Sequence, residues 1–310
     1  MSNKRIKKII LGITIGFLVL LTAFRISLPF FIINKMVNMH VNFTEVWRAE
    51  DFDIKADHFF VKTDDGLNIS AYEVKVDNPR AIIVCLSGFH YPSATAYIGH
   101  AKLFRDHDYA TIFFDMRAHG ESDGDMICMG YKEYLDTKAI VKYIETKPEY
   151  QDVPIVVMGL SLGASTAIIS AGEIPEIDGL ISLSAFSSWE DIFYDKMLAY
   201  TPGFFAKLEK PFVTFSVRAK YKVNSKLLSA KYEITKLGSR PVLLMHSKGD
   251  SEVPFVNFER IIEKAPPHVE TFIREGDLHL IVHGKFTEPE KDAEYSAVLI
   301  GFLEKNFGNK

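Results

Sequence analysis

One serine of this chain lies in a setting that typically makes its hydroxyl reactive. Residues 159–163 read Gly-Leu-Ser-Leu-Gly and directly follow the apolar run Pro154 to Met158. The apolar run predicts a strand and Ala164 to Ala171 predicts a helix, so Ser161 lies at a sharp strand-to-helix turn. Such a turn holds the serine oxygen clear of the sheet, and the two glycines allow close backbone packing. We therefore predict that Ser161 is a nucleophile.

The backbone after this serine is suited to binding negative charge. The N–H of Leu162 lies at the start of the predicted helix, where the helix dipole favours an oxyanion. The alternative is a Gly/Ser turn without any chemical role. The strand before the turn and the helix after it argue against that alternative.

An activated serine requires a base, and the base requires an orienting acid. The apolar run Pro241 to His246 predicts a strand, and Asp250 follows in the loop after it. Loops at the carboxyl ends of strands are where α/β sheets collect catalytic groups. We predict Asp250 as the acid, with Glu252 as the second candidate. A turn aspartate that bonds only its own backbone is the structural alternative.

The candidate base lies in the last loop of the chain before its C-terminal helix. One predicted helix and one predicted strand follow Asp250, and then comes a loop that contains His279. The predicted helix from Glu288 to Phe307 ends the fold. His283 competes for the role of base, whereas Asp277 reads as a turn residue. The position of His279 in this last loop favours it over His283 as the base.

With these three residues in the order Ser, Asp, His, the chain resembles an α/β-hydrolase. It is similar to the serine hydrolases that include monoglyceride lipases, serine aminopeptidases and related membrane-anchored bacterial hydrolases. The matching segments run from about Asp57 to the C-terminus. Residues 159–163 resemble the nucleophile elbow, 246–254 the acid loop H-G-x-x-D-x-x-V-P, and 276–279 the histidine loop. Ser247 replaces the glycine of the acid loop.

Two further segments carry the resemblance. Residues 85–89 resemble the oxyanion loop after the third strand, usually His-Gly-x, with Ser87 in place of the histidine. The resemblance implies that the N–H groups of Phe89 and Leu162 together form the oxyanion hole. Residues 115–122 resemble D-x-R-G-H-G-x-S, with an alanine in place of the first glycine. We interpret this stretch as structural, ordering a loop beside the site.

The elements that must position these residues follow an alternating pattern. Strands and helices alternate from Ala81 to Leu183, as a parallel sheet requires. Residues 57–62 and 67–75 predict an antiparallel entry hairpin. The four buried strands predicted after it are 81–86, 110–115, 154–158 and 180–183.

The pattern breaks between the sixth and seventh strands. Residues 187–239 contain no clear strand and are rich in aromatic side chains. This is the position at which the resembled family inserts its cap, so we predict a helical lid over Ser161. Aromatic side chains usually form core, but beneath a lid they also predict an apolar acyl pocket.

An apolar segment near the N-terminus predicts a membrane-spanning helix. The sixteen residues from Ile9 to Phe24 carry no charge. They span about 24 Å as a helix, less than the roughly 30 Å of a hydrocarbon core. The run resumes after Arg25 as far as Ile33, so a tilted span with Arg25 near an interface fits the pattern. Four basic residues precede the run: Lys4, Arg5, Lys7 and Lys8.

Two alternatives to an anchor are a cleaved signal peptide and a buried helix. Residues 21–24 end in a bulky phenylalanine where a cleavage site needs a small residue. We therefore predict an uncleaved signal anchor in the cell membrane. The basic end should remain in the cytoplasm and the catalytic domain should lie outside it.

Composition agrees with one globular domain and an anchor. The 310 residues carry a formal net charge of −4, which argues against a general nucleic-acid binder. Only two cysteines are present, so a disulfide framework is not indicated. No zinc-type spacing and no glycine-rich phosphate loop occur, and we predict neither a metal nor a cofactor.

These observations predict three regions. Residues 1–35 form the cytoplasmic tip and anchor, 36–56 a linker, and 57–310 an α/β-hydrolase domain with its lid at about 187–239. The predicted function is a serine hydrolase that cleaves a small or lipid-like carboxylic ester with an apolar acyl part. The alternatives are a peptidase with the same triad and a catalytically inactive interaction protein. The sequence does not indicate an oligomeric state.

Overall fold

The computed structural model describes residues 3–308, and one sheet of eight strands forms its centre. In chain order the strands are β1 (Asp57–Lys62), β2 (Asn68–Val74), β3 (Ile82–Leu86), β4 (Ala110–Phe114), β5 (Ile155–Leu160), β6 (Gly179–Leu183), β7 (Val242–Ser247) and β8 (Glu270–Arg274). Across the sheet their order is β1-β2-β4-β3-β5-β6-β7-β8.

The sheet is mostly parallel, as the sequence predicts. Only the pairs β1–β2 and β2–β4 are antiparallel, and all pairs from β4 through β8 run parallel. The central strands β3 and β5 are buried at every position, because helices cover both faces of the sheet.

Alternate residues of β3 belong to two separate cores. Val84 packs in one apolar cluster and Cys85 in the other, because neighbouring side chains of a strand point to opposite faces. The first core includes residues of α3 (Tyr134–Glu145) and α4 (Leu162–Glu173). The second includes residues of α2 (Ile98–Arg105) and α9 (Ala293–Phe307).

The C-terminal helix begins later than predicted. The sequence suggested a start near Glu288, but α9 begins at Ala293 because Asp292 caps it by accepting a hydrogen bond from the Tyr295 N–H at 3.2 Å. A helix between β7 and β8, α8, spans Val256–Ile262.

The segment between β6 and β7 is helical. It contains α5 (Trp189–Leu198), α6 (Gly203–Tyr221) and α7 (Ala230–Glu233). Ser188 caps α5 by accepting a hydrogen bond from the Asp191 N–H. The Asp191 carboxylate lies 2.6 Å from the Lys210 ammonium of α6 and so joins the two helices. Whether this hairpin acts as a lid stays a prediction.

The predicted apolar segment forms part of one long helix, α1 (Asn3–Val37). Among the described residues α1 alone is long and apolar enough to cross a membrane. Every residue from 3 to 24 is exposed. Ile33 and Val37, in contrast, are buried in the first core, so the end of α1 packs on the globular domain.

Candidate active site

Ser161 lies between β5 and α4 in a strained backbone conformation. Its φ of 57° and ψ of −114° place it at a sharp turn, which is the geometry of a nucleophile elbow. A methyl group at Gly159 would lie 2.1 Å from the Gly163 carbonyl oxygen, and one at Gly163 would lie 2.3 Å from that of Leu86. Only glycine therefore fits at these two positions, as the motif indicated.

Asp250 and His279 are joined directly. The His279 Nδ1 lies 2.8 Å from Asp250 Oδ2, and the Asp250 side chain is fully buried. Asp250 Oδ1 accepts hydrogen bonds from the N–H groups of Glu252 and Val253 at 2.9 and 2.8 Å. Burial acts to raise the pKa of Asp250, but these bonds and His279 outweigh it and hold the pKa below its ordinary value. Asp250 is therefore an ionised acceptor for the histidine.

Residues that the sequence reasoning did not assign support this pair. Ser247, noted only as a departure from glycine, donates its hydroxyl to the Leu278 carbonyl oxygen at 2.8 Å. Ser184 donates to the His279 carbonyl oxygen at 2.7 Å. These bonds fix the loop that carries the histidine. Neither has a sequence signal, because each joins segments that are distant along the chain.

His246 lies on the other side of the acid. Its Nε2 is 3.6 Å from Asp250 Oδ2 and 2.8 Å from the Val253 carbonyl oxygen. Burial lowers the pKa of His246, so the ring is neutral near pH 7. A carbonyl oxygen only accepts, so the proton of His246 is on Nε2.

Ser161 is not hydrogen-bonded to His279 in the described part of the chain. The nearest charged neighbour of His279 Nε2 is the exposed Glu252 carboxylate at 3.7 Å, and Glu252 and Ser161 line one cavity. Hydrogen bonds between a nucleophile and its base are often long before substrate binds. The structure thus joins Asp250 to His279 and places Ser161 in a cavity beside them.

The competing residues have other positions. The Asp277 side chain accepts a hydrogen bond from the Ser251 N–H at 2.9 Å, as a turn residue does. His283 is exposed, and its backbone N–H donates to Asp292. Glu252 is exposed and forms no contact with His279 Nδ1. These placements leave Asp250 as the residue that can orient His279.

The predicted oxyanion loop passes close to Ser161. A methyl group at Gly88 would lie 3.8 Å from the Ser161 Cβ. Leu162 is the first residue of α4, so its N–H has no partner within the helix. The His119 ring bonds the Phe89 carbonyl oxygen, so the segment 115–122 contacts the loop that it was predicted to order.

A cavity of about 390 Å³ lies over Ser161. Its wall is apolar, except that Lys196 and Glu252 stand among the lining residues. The apolar members are Met36, Phe89, Leu162, Phe186, Trp189, Ile192, Phe193 and Val253. A second cavity of about 860 Å³ is larger, but its wall does not include Ser161. The smaller cavity is therefore the candidate acyl site.

Met36 is an unexpected part of this wall. The sequence placed residue 36 at the start of a linker, yet α1 continues to Val37 and brings Met36 to the cavity. The spacing of Ile33, Met36 and Val37 is the i, i+3, i+4 pattern of one helix face, and this pattern was the available signal.

Residues 3–308 contain no group of three or more His, Cys, Asp or Glu side chains that could hold a metal ion. Cys85 and Cys128 are both free and buried.

Known proteins resemble this chain in sequence and in fold. An uncharacterized Bacillus subtilis protein, YqkD, is 27% identical over 236 residues, which cover 73% of this chain and 74% of that protein. The esterase Pf2001 of Pyrococcus furiosus has a TM-score of 0.66 at 22% identity and covers 87% of this chain and 100% of its own. An acylaminoacyl peptidase of Pyrococcus horikoshii has a TM-score of 0.60 at 16% identity, covering 83% of this chain and 42% of its own.

These structures confirm the predicted α/β-hydrolase fold. A family model described as serine aminopeptidase, S33, matches residues 77–235. That range holds the elbow, the loop after β3 and most of the helical segment after β6. Because it covers just over half of the chain, this hydrolase belongs to the serine aminopeptidase S33 family of the α/β-hydrolase superfamily.

Proposed function

We propose that this chain is a membrane-anchored serine hydrolase that cleaves a carboxylic ester with an apolar acyl part. The observation that carries the proposal is the Asp250–His279 hydrogen bond of 2.8 Å beside the cavity that contains Ser161. An oriented histidine next to a strained, accessible serine is the arrangement of nucleophilic catalysis.

In this mechanism the Ser161 oxygen attacks the ester carbonyl carbon while His279 Nε2 takes the hydroxyl proton. The carbonyl oxygen becomes an oxyanion, which the N–H groups of Phe89 and Leu162 bind. Collapse breaks the bond to the alcohol, and His279 returns the proton to that leaving group. Water then attacks the acyl-enzyme while His279 Nε2 takes a proton from it. His279 returns this proton to Ser161 Oγ as the acyl C–O bond breaks, which releases the carboxylic acid and restores the serine. Asp250 holds the histidine tautomer throughout.

The competing function is a peptidase that uses the same residues on an amide. The family description favours it, and so does Glu252, a carboxylate in the cavity wall that could pair with a substrate amine. The apolar remainder of the wall favours the ester. A panel of p-nitrophenyl esters from acetate to decanoate, run beside aminoacyl p-nitroanilides, separates the two functions.

We expect medium-chain esters to give the highest kcat/KM in this panel, and Met36→Trp to change the profile. A larger side chain at the cavity wall removes room for the acyl chain, so kcat/KM should fall about tenfold for decanoate relative to acetate. Met39→Trp is the matched control, because Met39 is exposed just after α1. A profile unchanged by Met36→Trp would contradict an acyl site in this cavity, and preference for the anilides would favour the peptidase.

We also propose the predicted organisation of the chain: anchor at 1–35, linker at 36–56, hydrolase domain at 57–310, and a helical lid at about 187–239. The first two residues of this linker, Met36 and Val37, still belong to α1. The exposed apolar surface of α1 from Ile9 to Phe24 supports the anchor. The basic residues before Ile9 support a cytoplasmic N-terminus, with Ser161 outside the cytoplasm.

The topology has a direct measurement. Protease added to intact spheroplasts should remove a C-terminal tag, while untreated membranes contain the full-length chain. A protected tag would reverse the orientation. A shortened, soluble chain beginning near Arg25 would show a cleaved signal peptide instead.

A further inference from the structure

The surroundings of α1 change at Arg25. Every residue from 3 to 24 is exposed, whereas Arg25, Pro29, Ile33 and Val37 are partly or fully covered. These four positions recur every fourth residue, so they form one stripe along the helix. The stripe packs on protein, whereas the apolar run from Ile9 to Phe24 before it is exposed along its whole length.

The stripe packs on α6, and both helices run in the same direction. The Arg25 guanidinium bonds the Glu209 carboxylate at 2.7 Å and the Leu208 carbonyl oxygen at 2.7 Å. Further along, the Lys220 ammonium lies 2.7 Å from Asn38 Oδ1. Residue numbers therefore rise together along the two helices. The start of α6 must point toward the apolar, exposed part of α1.

This alignment sets the depth of α6. A hydrocarbon core of roughly 30 Å takes about 20 helical residues, so a span that starts after Lys8 ends near Leu28. Arg25 then lies about 4 to 5 Å inside the hydrocarbon edge. A charge at that depth needs a partner, and Glu209 supplies one. Gly203 lies six residues before Glu209, or about 9 Å deeper.

The part of the α5–α6 hairpin at this depth is apolar and exposed. Tyr200 is 86% exposed and Phe204 is 65% exposed. Lys207, also exposed, has a side chain long enough to reach the headgroups. We define the membrane-facing tip as Leu198, Tyr200, Phe204, Phe205 and Leu208, all of them exposed. In water such a contiguous apolar surface is unfavourable.

We propose that the membrane-facing tip inserts into the leaflet on the catalytic side of the membrane, and that the substrate is an acyl lipid taken from that leaflet. The proposal rests on the anchored hydrolase proposed above. The occupant is lipid because the tip continues the surface of the anchor, at the depth that the Arg25–Glu209 contact sets.

The candidate acyl cavity lies directly above this tip. Helix α5 ends at the tip, and its Ile192, Phe193 and Lys196 line the cavity. Helix α1 emerges from the bilayer and contributes Met36 to the same wall. Met36 lies eight residues beyond Leu28, about 12 Å from the hydrocarbon edge. An acyl chain that leaves the bilayer between α1 and α5 therefore meets the mostly apolar wall of the cavity that contains Ser161.

Spin labels measure the depth without relying on activity. Cys85 and Cys128 are buried, so a thiol-specific nitroxide should modify only an introduced cysteine. The full-length chain would carry Leu18→Cys, Phe204→Cys or Phe215→Cys in phosphatidylcholine vesicles. We expect oxygen to relax the labels at 18 and 204, which would place them in the bilayer. A water-soluble nickel chelate should relax the label at 215, which would place it in water. Phe215, 56% exposed, is eleven residues beyond Phe204 on α6.

Activity gives a second readout. The double variant Phe204→Asp, Phe205→Asp should hydrolyse a fluorogenic acyl lipid in the same vesicles about tenfold more slowly, because the tip loses its apolar surface. Its hydrolysis of soluble p-nitrophenyl butyrate should stay within twofold of the wild type. Phe215→Asp is the matched control on the same helix and should leave both rates nearly unchanged.

Four results would overturn the proposal in distinguishable ways. A label at 18 in the bilayer with a label at 204 in water refutes the inserted tip and leaves the anchor intact. An aqueous label at 18 refutes the anchor and the tip together. Strong dipolar broadening between labels at 204 would show that a second copy of the chain covers the tip. Lack of all hydrolysis by the wild type would refute the enzyme and the lipid substrate.

Discussion

Replacing the Ser161 hydroxyl should remove nearly all activity and leave the fold intact. We expect Ser161→Ala to abolish covalent labelling by a fluorophosphonate probe and to lower kcat by on the order of 10⁶. The thermal midpoint should hardly change, because Ser161 Oγ makes no hydrogen bond within the described residues. Alanine also tolerates the strained backbone about as well as serine. Gel-based probe competition and thermal melting of the full-length protein measure the two effects.

Ser87 provides the control for this prediction. Its hydroxyl is fully buried and has no hydrogen-bond partner in residues 3–308, so Ser87→Ala should still react with the probe. Labelling that persists in Ser161→Ala would instead identify another nucleophile. A wild-type chain that neither reacts with the probe nor hydrolyses any ester would support the inactive, interaction-protein alternative.

The elbow could be predicted from the sequence because its determinants are local. Five consecutive residues and the apolar run before them specify a strand, a strained turn and a helix. The structure gives the reason: a methyl group at Gly159 or Gly163 would lie within 2.3 Å of a backbone atom. The parallel order of the central strands also followed from alternating strands and helices.

Asp250 and His279 were predicted from chain order and loop position. Because twenty-nine positions separate the two residues, no local sequence pattern predicts that their side chains are in contact. What positions them is a set of contacts between loops, such as Ser184 to the His279 carbonyl oxygen. In the sequence, a serine that makes such a contact does not differ from any other loop serine. Sequence reasoning therefore missed Ser184.

The end of α1 shows a different limit. Apolar side chains at helical spacing are suited equally to lipid and to a protein core. The sequence analysis therefore assigns Ile33 to the span and Met36 to the linker, although Ile33 packs in the core and Met36 lines the cavity. Their partners lie on α6 and around the cavity, and only the packed structure brings these segments together. Arg25 carried a clearer signal, because a charge at the end of an apolar span requires a partner.

The second large effect is expected at the histidine and its acid. His279→Ala and Asp250→Asn should each lower kcat by on the order of 10⁴ or more. Without His279 no group takes the serine proton. An asparagine amide can offer an N–H where Asp250 Oδ2 now accepts, which favours the wrong tautomer of the imidazole. Steady-state kinetics on the preferred ester measure both losses.

The double variant tests whether the two residues act as one unit. Because Asp250 acts through His279, the combined loss should be close to that of His279→Ala alone and far below the product of the two. His283→Ala is the matched control in the neighbouring loop and should retain most activity. If His283→Ala proved inactive, or if the two losses multiplied, the assignment of the base and its orienting acid would be wrong.

Asp250→Asn should also alter how the free energy of unfolding falls at acidic pH. The folded-state pKa of Asp250 lies below its ordinary value, so the ionised carboxylate contributes stability above the unfolded-state pKa. That contribution is lost as pH falls through the lowered folded-state value. Asparagine does not titrate, so urea unfolding of the variant between pH 3 and 7 should depend less steeply on pH than that of the wild type. Parallel curves would mean that the carboxylate has the same pKa in both states, which would contradict the lowered folded-state pKa of Asp250.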